Sequence, residues 1–139
     1  MATKWHNTPC PLCSEGILQD GTCEKVLEYR GRRYAYTAEG AFCNHCHDGF
    51  PAHSELEEAG WKAFRDTVDA EEAAELARIR KKLKLTQQEA AKIAGGGHNA
   101  FSRYERGEAK PVQAVLHLFR LLDHHPDLLQ ELRKMQQTV

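Results

Sequence analysis

Nowhere in this 139-residue chain do eighteen apolar residues run together, so no segment has the length and character of a membrane-spanning helix. The opening MATKWHNTPC has no charged stretch leading into an apolar core, and the expectation is a protein that is neither exported nor membrane-bound and works in the cytoplasm. Glycine and proline are scarce, ten and five, beside 41% hydrophobic residues, which argues against wholesale disorder. The marks of an enzyme are missing too: no nucleophile–base pair and no open metal site appears. Gly95, Gly96 and Gly97 lack the Lys and Ser/Thr that a nucleotide-phosphate loop requires. A catalytic role is therefore not expected.

What is present is divided unevenly. The formal net charge is only -1, yet residues 1–69 carry seven Lys/Arg against eleven Asp/Glu, and residues 70–139 carry twelve against nine. All five cysteines and nearly all the strand-like pattern lie in the first half, and the second half reads as helix. Two modules with different work are expected, 1–68 and 69–139.

In the first module, Cys10 and Cys13 form one C-x-x-C pair, and Cys43 and Cys46 form another after 29 intervening residues. Two such knuckles brought together supply the four soft ligands of a tetrahedral zinc site, and four cysteines leave no open position, so the metal would be structural. Between them, Val26, Leu27 and Tyr29, then Arg30, Gly31 and Arg32, then Tyr34, Ala35 and Tyr36 read as a hairpin. A segment so short and so poor in apolar residues buries too little surface to offset its chain entropy. Structural zinc contributes roughly 10–16 kcal/mol of apparent binding energy in finger peptides, enough to make folding depend on metal. Two disulfides or a redox dithiol are the alternatives. The first needs an oxidising compartment and the second a βαβ setting that the pattern lacks. Cys23 is the odd thiol, and His45, His47 and His53 crowd the second pair.

Ser54 and Glu57 have capping-box spacing and open a helix through Leu56, Trp61, Phe64 and Val68; Asp69 and Glu72 repeat the signal, and a separate helix is expected over about residues 70–84. Thr86 and Glu89 give a third box before a short helix that the glycine run stops. Another short helix follows through Arg106, closed by Gly107 as a left-handed cap. Two short helices joined by a glycine turn are the helix-turn-helix pattern. Phe101 and Tyr104 share a face that can enter a core, whereas Asn99 and Arg103 share another. Asn can bond an adenine edge and Arg a guanine edge in bidentate fashion. Asn99 as a plain helix cap and Arg103 as an exposed partner of Glu105 remain open beside that function. Pro111 and Pro126 open two more helices, and their apolar stripes at Val115, Leu118, Phe119 and Leu122 and at Leu128, Leu129 and Leu132 exceed what one small core needs. Part of that surface suits a two-fold dimer that sets two recognition helices one DNA turn apart on a palindromic operator.

A C-x-x-C…C-x-x-C module followed by residues 95–107, GGGHNAFSRYERG, resembles the MqsA family of antitoxins over nearly the whole chain. The resemblance implies one structural zinc per chain on Cys10, Cys13, Cys43 and Cys46 and an N-terminal module that holds a cognate ribonuclease toxin. It also implies a C-terminal module that homodimerises and represses its own operon. Asn99 and Arg103 fall on the positions that read bases in the family. Arg65, after Phe64, matches a segment that touches the DNA backbone, and Ser102 and Arg106 are further backbone candidates. The expected fold is α+β in two small domains: a zinc-bound hairpin or sheet with a helix, then an all-α five-helix helix-turn-helix domain. A free-standing transcription regulator whose zinc module binds some other protein is the alternative.

Overall fold

The computed structural model describes residues 3–137. The chain divides into two compact units, Met1–Arg65 and Asp66–Val139.

In the first unit, β1 (Leu18–Tyr29) and β2 (Arg32–Cys43) form an antiparallel hairpin in which Leu18 faces Cys43 and Tyr29 faces Arg32. Arg30 and Gly31 have φ of 51° and 82°, the two left-handed residues of a type I′ turn, whose twist matches that of the strands. A short β3 (Gly49–Pro51) pairs with β2 to complete a three-stranded sheet in the order β1-β2-β3. The strands are twelve residues each, longer than the apolar run at 26–36 indicates. Their first rungs are built from polar residues around Asp20 and Gly21 that carry no alternation. Asp20 instead anchors the leading segment, accepting hydrogen bonds from the Thr3 amide and from the Thr3 hydroxyl at 2.6 Å.

Two patches hold this unit together. Cys10, Leu18, Ala41 and Cys43 are buried, flanked by Trp5 stacked on Phe50 with centroids 4.6 Å apart. Nearer the hairpin tip, Tyr34 packs against Trp61 and Phe64 at 5.8 and 5.0 Å. The latter two belong to α1 (Glu55–Lys82).

α1 is one continuous helix of 28 residues, so the separate helix expected from residue 70 does not form. The Ser54 hydroxyl accepts from the Glu57 amide at 3.1 Å and caps its start. The second capping signal lies mid-helix because Val68, Glu72, Leu76 and Ile79 form one buried stripe across it, and no Gly or Pro interrupts the turns there. Asp69 pairs with Lys110 at 3.1 Å rather than capping.

The second unit comprises the rest of α1 with α2 (Gln87–Ala94), α3 (Ala100–Glu105), α4 (Gln113–His124) and α5 (Leu128–Gln137). Leu76, Ile79, Phe101, Leu116, Phe119 and Leu122 are the heart of its core, with Phe101 and Phe119 centroids 4.9 Å apart. α4 and α5 each begin two residues beyond their prolines; Val112, extended at ψ 156°, is the N-cap of α4. The fold is thus α+β in two parts, a three-stranded antiparallel sheet followed by helices. Among the described residues no helix is long and apolar enough to cross a membrane.

Candidate metal centre and nucleic-acid interface

The two C-x-x-C pairs are built alike. Ser14 donates its amide to the Cys10 carbonyl at 3.0 Å and His47 donates to the Cys43 carbonyl at 3.1 Å; both donors have left-handed φ, 63° and 64°. Cys10 in turn donates to Gly16 and Cys43 to Asp48, which closes each knuckle. The hairpin register that pairs Leu18 with Cys43 brings the knuckles together.

The four sulfurs of Cys10, Cys13, Cys43 and Cys46 lie within 4.8 Å of one another, with Cys10–Cys46 at 3.9 Å and Cys13–Cys43 at 3.6 Å. A tetrahedron of sulfurs about 2.3 Å from zinc has edges of about 3.8 Å, so the donor set fits that ion. Among the described residues no histidine joins the cluster; His45 faces Glu15 at 3.1 Å. Cys23 stands apart on β1, its thiol directed at the Glu24 carbonyl.

Amide groups are aimed at the sulfurs. Leu12 donates to Cys10 Sγ at 3.4 Å, and His45 and Cys46 donate to Cys43 Sγ at 3.3 and 3.4 Å. Burial works against the charged form of Cys43, but the Cys46 and His45 amides, together with hydrogen bonds from the Cys13 and Cys46 thiols, draw it down to about 6. The Glu15 and Gly16 amides lower Cys13 likewise. At Cys46 the Asp48 amide favours the thiolate, yet burial and the three neighbouring sulfurs prevail and push it up to about 12. Four thiolates this close repel one another, and a divalent cation at their centre removes that penalty.

Gly16 was not legible as part of this centre. A Cβ there would fall on Cys43 Sγ and within 2.8 Å of His45 Cβ, so only hydrogen leaves the sulfur its place.

In the second unit, α2 opens on a complete capping box: the Thr86 hydroxyl accepts from the Glu89 amide at 3.1 Å and the Glu89 carboxylate accepts from the Thr86 amide at 3.0 Å. Gly95, at φ 78°, ends the helix in a left-handed turn, with the Gly96 amide reaching the Ala91 carbonyl. The remaining turn residues lead to Asn99, the N-cap of α3, and Gly107 follows that helix at φ 75°.

Asn99 is exposed and its side chain makes no capping hydrogen bond. Arg103, one turn on, is exposed and has no side-chain partner among the described residues. Glu105 is not its partner, because Arg80 grips Glu105 through two bonds of 2.8 and 2.9 Å and donates a third to the Leu85 carbonyl at 2.9 Å. Phe101 is fully buried and Tyr104 half-buried, so the two faces of α3 separate. Ser102 is half-buried, and Arg106 is exposed beside Glu108 at 3.2 Å. Arg65 lies in the first unit; its guanidinium sits 5.4 Å over the Trp61 ring and its Nε is buried without a hydrogen-bond partner.

Residues 8–133 match the family described as the antitoxin component of the bacterial toxin-antitoxin system, MqsA. The chain belongs to that family. Antitoxin MqsA of Escherichia coli (strain K12) is 43% identical to it over 129 residues, covering 89% of this chain and 98% of that relative. The family match spans both C-x-x-C pairs and the segment with Asn99 and Arg103.

Proposed function

We propose that this protein is a two-module, non-catalytic cytoplasmic antitoxin that also represses its own operon. The module at 1–68 binds one structural zinc through Cys10, Cys13, Cys43 and Cys46 and neutralises a cognate ribonuclease toxin. Its excess of acidic residues suits a basic, RNA-cleaving partner. The module at 69–139 homodimerises and binds a palindromic operator, with α2 and α3 as a helix-turn-helix and α3 in the major groove. Asn99 and Arg103 read bases there, and Ser102, Arg106 and Arg65 serve the DNA backbone. A groove of about 240 Å³ between α4 and α5, bordered by the exposed Leu121, Leu128 and Met135, is the surface a second copy would cover.

The observation that carries the DNA assignment is the condition of α3: Asn99 and Arg103 are exposed and unengaged, while the carboxylates of Glu105 and Glu108 are engaged by Arg80 and Arg106. An Arg removed from a base edge costs about 1–3 kcal/mol of discrimination, whereas one removed from a phosphate weakens binding to all sequences alike. Arg103→Ala is therefore expected to lower affinity for operator DNA by about 5- to 150-fold more than for random duplex, measured by fluorescence anisotropy at fixed salt. Equal losses on both duplexes would refute the base-reading role. For the other module, pull-downs with the toxin encoded beside this gene that recovered only residues 70–139 would overturn the toxin assignment.

A further inference from the structure

His98 immediately precedes Asn99 and is exposed, and its Nε2 lies 3.2 Å from the side-chain amide nitrogen of Gln88, the second residue of α2. With the Gln88 amide placed so that its NH2 group faces the ring, that group donates and cannot accept, and the ring nitrogen opposite it is the acceptor of this bond. The neutral imidazole then carries its proton on Nδ1. That nitrogen takes no part in the bond to Gln88. The pair bridges the start of α2 and the turn that delivers Asn99, and it leaves an N–H donor on the exposed residue that adjoins Asn99. In the major groove such a donor finds guanine O6 or N7, adenine N7 or thymine O4, and it is refused by the amino groups of cytosine and adenine.

We infer that His98 is a third base-reading residue of the interface and that Gln88 is its positioning residue, selecting the tautomer that presents a donor to the DNA. The inference rests on the assignment of α3 as the recognition helix. An unheld imidazole exchanges tautomers and offers donor or acceptor alike, so it discriminates little; a ring fixed by Gln88 distinguishes the two kinds of base edge.

The test uses the full-length, zinc-loaded chain at pH 8. A preferred duplex is first obtained by in vitro selection with the unmodified protein, and all its single base-pair variants are then compared by competition binding. His98→Ala is expected to flatten the preference at one base pair, by about 5- to 100-fold, with the salt dependence of binding unchanged. Gln88→Ala should cause a smaller loss at that same base pair and add nothing once His98 is already Ala. Nitrogen-15 NMR of the His98 ring should report the Nδ1–H form in the unmodified chain and a shift toward the other tautomer in Gln88→Ala. Uniform weakening across all duplexes with a shallower salt dependence would make His98 a phosphate contact and overturn the proposal. So would additive effects of the two substitutions, or a tautomer indifferent to Gln88. If Arg103→Ala relaxes specificity and His98→Ala does not, this inference fails alone. If selection returns no preferred sequence, or Arg103→Ala leaves specificity intact, the recognition-helix assignment fails with it.

Discussion

At the scale of single residues, the metal centre depends on one side chain that is absent. The Gly16 amide helps hold the Cys13 thiolate, and the missing Cβ is what lets Cys43 Sγ approach. Gly16→Ala must displace either that sulfur or the knuckle that carries it. Changes just outside a ligand set commonly cost 10- to 100-fold in metal affinity, and a loss in that range is expected here. Competition with a chromophoric chelator on the full chain measures it, and wild-type affinity in the variant would count against the geometry. The four cysteines were legible because C-x-x-C spacing is local chemistry, whereas Gly16 was not, because the atom it makes room for belongs to a knuckle far along the chain. Arg103 has the opposite history: sequence spacing left Glu105 available as its partner, and only the tertiary engagement of Glu105 by Arg80 leaves it unpaired.

At the scale of elements, three similar capping signals have three outcomes. Thr86 and Glu89 complete a reciprocal box. Ser54 caps α1, but the Glu57 carboxylate turns to the Glu39 amide of β2 at 3.1 Å instead of back to Ser54. Asp69 caps nothing, because buried periodicity on both sides keeps the backbone helical through it. A capping motif specifies a helix start only where the preceding residues have no packing reason to be helical, and that depends on the fold. α3, at six residues, is too short to be stable on its own propensity, so its position is set by Phe101 in the core and by the Arg80–Glu105 pair at its end. With both side chains mostly shielded from water, Arg80→Ala is expected to cost about 2–3 kcal/mol by urea unfolding, since it leaves Glu105 without its two charged hydrogen bonds. Arg80→Ala combined with Glu105→Ala should cost less than the two single changes together; strict additivity would show that the pair does not act as a unit.

At the scale of the whole molecule, the two units are stabilised by different means. The second has an extended apolar core in which Phe101, Phe119 and Leu116 are fully buried, of the kind that sustains a small helical domain unaided. The first has a small apolar cluster at the sulfur site, Cys10, Leu18, Ala41 and Cys43, two of them prospective ligands, so withdrawing the ion removes the attraction and restores repulsion among thiolates at one stroke. Stripping zinc from the intact protein with a chelator should therefore abolish amide protection in the rungs nearest the knuckles, Leu18 with Cys43 and Asp20 with Ala41, while α4 keeps its protection. The rungs near Leu27 and Tyr34 lie beside the Trp61 and Phe64 rings and should open later than those at the sulfur end. Hydrogen exchange read by mass spectrometry resolves these segments. Under the proposed function the stripped protein still binds operator DNA but no longer captures toxin. Unchanged protection of β1 and β2 after verified metal removal would mean that the sheet holds itself, and the structural role given to the four cysteines would be wrong.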